Sequence, residues 1–490
     1  MIDKRKQVRN AILYFVPAVA SGLFPLITLP LFTRYLSLAD YGVFALAQIW
    51  ATLLSGISQL GLNSAYNRNY FQYHASTEKS SRLLYSVVVF SLLSASIVVL
   101  GTYFYEGWVS RVLTGSPEHG RLVTIALSAT CLVNVNAFYL NYFRNSENAM
   151  AYVVCSVGFT FLNAVVGVIL IVFLRVGVIG LVYSQLISAI CFLVVITFLL
   201  SRRLPLKIDF GLIVEALKIG YPLASKSIFG LLNQQFDKYM IGLLGTIGGV
   251  GVYSVAQNIS YMAFVFITAI QNVFSPRIYS QMFDNPDKGG EAIGHYLTPF
   301  MYLSFLSCVV LAQFAEEVVY LLLPESFHGA MKIIPILTMY YGLMFFGKVI
   351  PLQLMFAKKA GVAAWLLAFS IFLNVALNIP FIKMWGVVGA AWATLIASTL
   401  SAAVGFWVAQ RHFRIGWEYR KLLLMLLGFL TIVVVSLTME ALDVYYLIRL
   451  AEKLIAIGLY IYLGLKIGVV TKENALLIKD GLSARPVTSG

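Results

Sequence analysis

The sequence predicts an all-α polytopic membrane protein built from two related halves. Sixty per cent of its 490 residues are hydrophobic and 11% are charged, whereas a soluble chain carries roughly 25% charged residues. A shift of 209 positions places Tyr41–Gln48 on Val250–Gln257 and, farther along, Gly177–Gly180 on Gly386–Gly389. Because the offset stays constant over this distance, we expect two copies of one membrane unit.

The apolar runs predict about 14 transmembrane helices. A span needs about 20 apolar residues, and the loops between the runs are too short for a soluble domain. The first run is too long for a signal peptide and is expected to remain as a span. The runs are centred near residues 21, 53, 93, 132, 162, 188, 224, 262, 309, 344, 371, 397, 430 and 461.

Lys and Arg predict the orientation of the chain. With the N-terminus inside, the cytoplasmic side collects 24 of the 35 Lys and Arg residues, the outer side collects 9, and Lys226 and Lys348 remain inside spans. This asymmetry follows the positive-inside rule and places both termini in the cytoplasm. The net charge of +14 is then explained mostly by the basic residues that orient the chain in the membrane. No nucleic-acid partner is expected.

Six spans precede the loop at residues 204–211, and six more follow it. An even number of spans gives both halves one orientation, so the repeat is parallel. The predicted organisation is an N-terminal six-helix lobe (residues 1–203), a C-terminal six-helix lobe (204–415), two additional helices (416–470) and a cytoplasmic tail (471–490).

Proline recurs in the first and seventh spans, at Pro17, Pro25 and Pro222. Proline removes an intrahelical hydrogen bond and bends a helix. Corresponding helices of the two halves are therefore candidates for paired gates. The alternative is the ordinary tolerance of membrane helices for kinks.

Nothing in the sequence resembles an enzyme site, and no metal or cofactor is predicted. Histidines are few, and the four cysteines lie inside apolar runs with a spacing that suits neither zinc nor a disulfide framework. Polar groups at membrane depth carry the signal instead. A charge there costs about 2.5–3.5 kcal/mol on insertion scales and normally faces protein or water.

Lys226 is the most telling of these groups. It lies about 15 Å into the seventh span at 1.5 Å per residue, on a helical face shared with Pro222, Asn233 and Asp237. Asp237 is too far along a straight helix to pair with it. Lys226 therefore needs a water-filled cavity, an anionic ligand, or else a structural ion pair or snorkelling position.

Further basic residues extend this pattern. Lys348 lies about 15 Å from the predicted inner surface by the same rise. Arg34 and Lys238 end corresponding spans on the outer side, where Asp237 and Lys238 could form an interfacial pair. Arg68 and Arg277 end the second and eighth spans on the cytoplasmic side, as headgroup contacts or positive-inside anchors.

The second span also carries a polar stripe that includes Gln48, Ser55, Gln59 and Asn63. Their spacing places them on one helical face. The stripe indicates either a hydrated lumen or interhelical hydrogen bonds. Because the deep ionisable groups are lysines, and the first half has no deep carboxylate, the cavity is expected to suit an anion.

The segment Pro30–Gly42 resembles the first loop of Wzx-type polysaccharide flippases, of the multidrug/oligosaccharidyl-lipid/polysaccharide (MOP) superfamily. Asp237-Lys238, Gly242, Gly245 and Gly251–Tyr253 resemble the matching stretch of the second half. The resemblance is diffuse over about residues 8–415. It implies the MATE-like fold, alternating access, and a substrate of oligosaccharide on undecaprenyl diphosphate that moves to the periplasmic leaflet of the bacterial inner membrane.

Two relatives fit less well. Lipid II flippases carry arginines within the first helix, which here has no charge between Arg9 and Arg34. Drug-exporting relatives rely on acidic groups in the lobes, and those are missing at membrane depth here. A cation-coupled antiporter of the same superfamily is the alternative function. The lipid bilayer and a polysaccharide polymerase complex are the further expected partners. Candidate substrate-binding residues are Arg34, Gln48, Gln59, Arg68, Lys226, Asn233, Asp237, Lys238, Arg277 and Lys348.

Overall fold

The computed structural model describes residues 4–73, 76–202, 204–284 and 289–471, which are helical with no strand among them. Some side chains within these ranges also lie outside the described part. The α-helices are α1 (Lys4–Tyr35), α2 (Leu38–Ser58), α3 (Leu62–Tyr73), α4 (Thr77–Phe104), α5 (Glu106–Thr114), α6 (Gly120–Asn145), α7 (Ala149–Val168), α8 (Ile179–Ser201), α9 (Phe210–Leu244), α10 (Ile247–Asp284), α11 (Gly289–Gln313), α12 (Ala315–Leu322), α13 (Ile334–Phe356), α14 (Ala360–His412), α15 (Tyr419–Ala441) and α16 (Tyr446–Lys466).

All fourteen predicted span centres lie in these helices, which confirms the fold class. Within the described residues, ten helical stretches are long and apolar enough to cross a membrane. They contain eleven of the predicted centres, because the stretch Gly361–His412 contains two. The remaining centres lie in α1, α9 and α16. The chain is thus a multi-pass membrane protein, and the number fourteen stays a prediction.

The repeat recurs in the places where helices begin and end. Gly177 and Gly386, which the repeat places on each other, both have positive φ, at 77° and 59°, a conformation that favours glycine. The second of them bends α14 between its two predicted spans. Three pairs of helix boundaries show the same offset: the ends Tyr35 and Leu244, the starts Leu38 and Ile247, and the ends Phe104 and Gln313.

Contacts within the chain divide it into two compact units. The N-terminal unit contains residues 12–254, and the C-terminal unit contains residues 1–11 and 255–490. The N-terminal unit extends past residue 204 because α9 packs on α2, α3 and α4. The lobe boundaries of the repeat therefore differ from this contact-based division and stay a prediction.

Repeat-related caps fix the starts of α2 and α10. Ser37 Oγ accepts a hydrogen bond from the backbone N–H of Asp40, and Asp40 Oδ2 accepts one from the N–H of Ser37 at 2.8 Å. This capping box satisfies donors that the first turn leaves unpaired. Thr246, the counterpart of Ser37 in the second copy of the repeat, accepts from the N–H of Gly249 at 3.0 Å. Both helices thus begin for the same reason.

Just inside these caps, α2 and α10 meet backbone to backbone. A Cβ atom on Gly42 would collide with the carbonyl oxygen of Ile247, and one on Gly251 with the carbonyl oxygen of Leu38. The contact is reciprocal, because the repeat places Gly42 on Gly251 and Leu38 on Ile247. Small residues allow helices in membranes to approach this closely, so this crossing depends on glycine.

The start of α9, which carries several candidate site residues, is fastened to the N-terminal unit. Asp209 caps the helix by accepting from the N–H of Gly211 at 2.9 Å. One turn later, Glu215 accepts a hydrogen bond of 2.7 Å from the Tyr73 hydroxyl of α3. This hydrogen bond to the carboxylate raises the pKa of the Tyr73 phenol.

In the C-terminal unit, α15 and α16 cover one face of α11. Tyr302 stacks on Tyr460, and Phe305 on Phe429, both with ring centroids 5.4 Å apart. Tyr302 is 5% exposed, whereas Leu93, its counterpart on α4 in the first copy of the repeat, is 62% exposed. The two additional helices therefore cover in one copy a face that stays exposed in the other.

The reciprocal glycine crossing predicts a sharp sensitivity to side-chain size. We expect Gly42→Val to lower the free energy of unfolding by about 1–3 kcal/mol, the usual effect of overpacking. Gly22→Val is the control, because no described atom lies within 4 Å of the position of its Cβ. Thermal unfolding of the purified protein measures both, and equal melting temperatures for the two variants would contradict the crossing.

Candidate functional site

The ammonium group of Lys348, in the middle of α13, lies over an aromatic ring. Its Nζ is 4.4 Å from the ring centroid of Phe264 on α10. Phe264 in turn stacks on Tyr261 at 5.0 Å and lies 5.8 Å from Tyr341. The face of an aromatic ring attracts a cation through its quadrupole. The aromatic cluster therefore holds the position of Lys348 without neutralising its charge.

Lys348 has no carboxylate partner in the part of the chain that the structure describes. Its side chain is half-buried. The neighbouring Gly347 borders open space, since no described atom lies within 4 Å of where its Cβ would be. An unpaired charge at membrane depth normally faces water or a counterion. The surroundings of Lys348 therefore suit an anionic group.

The polar stripe of α2 continues onto α3 and faces α6. Four hydrogen bonds between described residues join the stripe to α6, and the three that asparagines of α6 donate have partners 79, 78 and 78 residues apart. A near-constant separation means that the helices run parallel, side by side. The amide donors and their acceptors are Asn134 with Ser55 at 3.0 Å, Asn141 with Asn63 at 2.7 Å, and Asn145 with Asn67 at 2.9 Å.

Gln48 lies at the other end of this stripe. Its amide nitrogen donates to Gln185 Oε1 of α8 at 2.9 Å, and its oxygen accepts from the Thr130 hydroxyl at 3.4 Å. Gln59, which caps the C-terminus of α2, has a buried Nε2 without a hydrogen-bond partner among the described residues. The geometry at Gln48 thus matches the interhelical alternative, whereas Gln59 keeps a donor available.

The charged residues at the predicted outer side have different surroundings. Asp237 is 4% exposed and accepts a hydrogen bond from the Tyr253 hydroxyl at 3.2 Å. Lys238 donates to Gln235 Oε1 at 3.2 Å. Arg34 is exposed in the last turn of α1. The buried carboxylate of Asp237 is the main acidic feature of this region.

The remaining predicted residues divide into two groups. The first group has described side chains. Arg68 is exposed on α3 and donates to Asn69 Oδ1 at 3.0 Å. Pro17 is buried and Pro25 is exposed, and α1 stays helical through both of them. The other group lies on α9 and α10 with side chains outside the described residues, and its members are Pro222, Lys226, Asn233 and Arg277. Their roles stay predictions.

The sequence indicated most of the polar residues of the site, but it did not indicate the side chains that contact them. Phe264 carried no signal, because one more phenylalanine in an apolar run is unremarkable. Gln185 had none either, although its amide pairs with Gln48. Lys453 was missed as a third lysine inside an apolar helix, where it is 2% exposed. No group of three residues able to hold a metal ion occurs among the described residues.

The pairing of Gln48 with Gln185 predicts coupled effects on stability. We expect Gln48→Leu and Gln185→Leu each to lower stability, and the double variant to lose less than their sum, by about 0.6 kcal/mol and at most about 1.7 kcal/mol. A double-mutant cycle by denaturant unfolding measures this coupling. Additive losses, or a loss of transport confined to Gln48→Leu, would instead indicate that Gln48 contacts the substrate.

Comparisons with known proteins place this chain among glycan-related membrane proteins. A family model described as polysaccharide biosynthesis protein matches residues 7–282. The probable low-salt glycan biosynthesis flippase Agl15 of Haloferax volcanii is 24% identical over 448 residues, which are 87% of this chain and 91% of the relative. The similarity to this relative therefore extends over nearly the whole chain.

Solved structures share the fold. The lipid II flippase MurJ, in an inward closed conformation, has a TM-score of 0.70 at 15% identity and covers 92% of this chain and 98% of its own. A MOP superfamily transporter from Pyrococcus furiosus has a TM-score of 0.61 at 18% identity, with 83% and 95% covered. These structures confirm the MOP fold expected from the sequence. Since the family model spans more than half of the chain, the protein belongs to the polysaccharide biosynthesis protein family.

Proposed function

We propose that the protein is a flippase that moves a lipid-linked oligosaccharide across the membrane, and that it is a transporter rather than an enzyme. Membership of the polysaccharide biosynthesis family supports this proposal. So does similarity over 87% of the chain to a relative named as a probable glycan biosynthesis flippase. The MOP fold, shared with lipid II flippase MurJ, is compatible with it.

The surroundings of Lys348 carry the proposal at the level of chemistry. A lipid-linked sugar of this class is anionic at its diphosphate, and Lys348 offers a half-buried ammonium without a carboxylate partner among the described residues. A buried lone charge is costly unless it is paired. A diphosphate beside Lys348 would pair with the ammonium group, and this pairing would compensate both charges for the water that they lose on burial. Lys226 is the proposed second contact.

The finer assignment is the substrate and its direction. We infer oligosaccharide on undecaprenyl diphosphate, such as an O-antigen repeat unit, that enters from the cytoplasmic leaflet of a bacterial inner membrane and leaves to the periplasmic leaflet. Both termini are then cytoplasmic, and a polysaccharide polymerase complex is the proposed acceptor. Moving an anion out of a negative interior is favourable by about 2.3 kcal/mol per charge per 100 mV.

Alternating access between the predicted lobes is the proposed mechanism. Pro17 and Pro25 in α1, and Pro222 in α9, are the proposed bending points because proline weakens the helical hydrogen-bond ladder. Arg68 and Arg277 guide the headgroup from the inner leaflet, while Arg34 and Lys238 meet it on the outer side. Gln59 and Asn233 offer hydrogen bonds to the glycan, and the polyprenyl tail stays in lipid.

One observation favours a second candidate, the cation-coupled antiporter of the same superfamily. Asp237 places a carboxylate at 4% exposure on α9, and a cation exporter needs a buried acid to hold its substrate or a proton. The two functions thus depend on side chains of opposite charge. That difference makes them separable by single substitutions.

Neutralising the two charges separately tests the proposal. We expect Lys348→Met to slow translocation of the lipid-linked oligosaccharide by about tenfold or more, equivalent to about 1.4 kcal/mol of lost stabilisation. Asp237→Asn, which keeps the shape of the side chain, is expected to retain most of the activity. The measurement is the fraction of lipid-linked oligosaccharide left in the cytoplasmic leaflet of a deletion strain carrying each variant.

The matched control is Lys218→Met, which removes an exposed lysine of α9. It should behave like the wild type at equal membrane expression. Full activity of Lys348→Met together with loss of activity in Asp237→Asn would overturn the account of a cationic cavity and favour the antiporter.

A further inference from the structure

An ionic cluster joins the additional helices α15 and α16 to α12 in the C-terminal unit. All its members lie at the ends of helices that the topology predicts on the outer side. It contains more carboxyl groups than cations. Its carboxyl groups are Glu316 and Glu317 on α12, Glu440 in the last turn of α15 and Glu452 on α16, and its cations are Arg449 and Lys453 on α16.

Both cations form ion pairs with carboxylates of α12. Lys453 Nζ lies 2.7 Å from Glu316 Oε2 and 2.7 Å from Glu317 Oε1. Arg449 lies 2.9 Å from the other oxygen of Glu316. Lys453 is 2% exposed and Glu316 is 7% exposed. Lys453 and Glu316 are thus nearly removed from solvent and paired with each other, whereas Arg449 Nε and Glu317 Oε2 are buried without a described hydrogen-bond partner.

Glu440 and Glu452 are left without an ion pair among the described residues. The Oε2 atom of Glu452 is buried and has no hydrogen-bond partner there either. Two other titratable groups face the cluster: Tyr446 donates to Glu317 at 3.5 Å, and Lys332, on the short helix before α13, is exposed. An ionised carboxylate in such a place is costly and tends to become neutral.

A buried glutamine points to how that neutrality is reached. Gln313 is 1% exposed, and its amide nitrogen donates to the backbone oxygen of Ile432 at 3.3 Å, while its Oε1 has no described partner. Gln313 lines, with Glu440 and Glu452, a cavity of about 10 Å³, which is room for about one water molecule. An amide oxygen and an ionised carboxylate both only accept hydrogen bonds. A proton on Glu440 or Glu452 would turn that carboxyl group into a hydrogen-bond donor.

We propose that this cavity is a proton-binding site, in which Glu440 or Glu452 carries a proton toward Gln313, directly or through one water molecule. The bound proton removes the repulsion of the excess carboxylates and lets α15 and α16 stay docked on α11 and α12. The carboxylates of α12 are already paired with Arg449 and Lys453, and no group of three residues able to hold a metal ion occurs among the described residues. The proposal is independent of the transport function.

Infrared spectroscopy of the purified full-length protein at neutral pH tests the site directly. We expect the carbonyl stretch of a protonated carboxylic acid in the wild type, shifted in heavy water, and lost in Glu440→Gln or in Glu452→Gln. Glu325→Gln is the control, because Glu325 is exposed on the same side outside the cavity. Absence of the band in the wild type, or its survival in both cluster variants, would overturn the proposal.

The wild type alone provides a second measurement that needs no variant. A proton bound in the folded state and released on unfolding makes stability fall as pH rises. We therefore expect the melting temperature to drop from neutral to alkaline pH, with hydrogen exchange rising first in α16. A melting temperature and an α16 exchange rate that do not change over this range would contradict a proton holding the helices.

Discussion

The lack of water in the hydrocarbon core is the constraint on which the rest of this structure depends. Polar groups there must be satisfied by protein, because an unpaired one costs several kcal/mol. The hydrogen bonds that Asn134, Asn141 and Asn145 of α6 donate to α2 and α3 meet this requirement with neutral amides. On the predicted outer side, the cluster of α12 and α16 pairs charges at 2.7–2.9 Å because Lys453 and Glu316 are buried in protein. Each arrangement fixes the neighbours of a helix as well as its depth.

Among the described residues, Lys348 departs from this rule as a charge without a carboxylate partner, and this departure gives the proposed function its chemistry. An aromatic ring at 4.4 Å attracts its ammonium, but such an interaction is worth about 0.5–2 kcal/mol, less than the roughly 2.5–3.5 kcal/mol that a deep charge costs. The difference leaves Lys348 in need of water or an anion. A transporter needs a site that binds its substrate only moderately, because a substrate bound too tightly beside Lys348 would not leave.

The sequence predicted the fold well because membranes make hydrophobicity and length decisive. Span centres, the internal repeat and its glycine at 386 are all readable from composition and spacing. Partners were not readable, because they depend on which helix faces come together. Gln48 was recognised as polar, yet its pairing with Gln185, 137 residues away, depends on a hydrogen bond between α2 and α8 that the spacing along the chain does not reveal. The buried position of Lys453 likewise required α12.

The most direct test of transport is reconstitution of the purified protein into liposomes with a fluorescent undecaprenyl-diphosphate oligosaccharide in both leaflets. A membrane-impermeant quencher reports how fast the protected pool crosses. The account predicts protein-dependent crossing that speeds up when an imposed potential draws the anion across, by an amount that follows about 2.3 kcal/mol per charge per 100 mV. Crossing no faster than in protein-free liposomes, at any potential, would contradict a flippase.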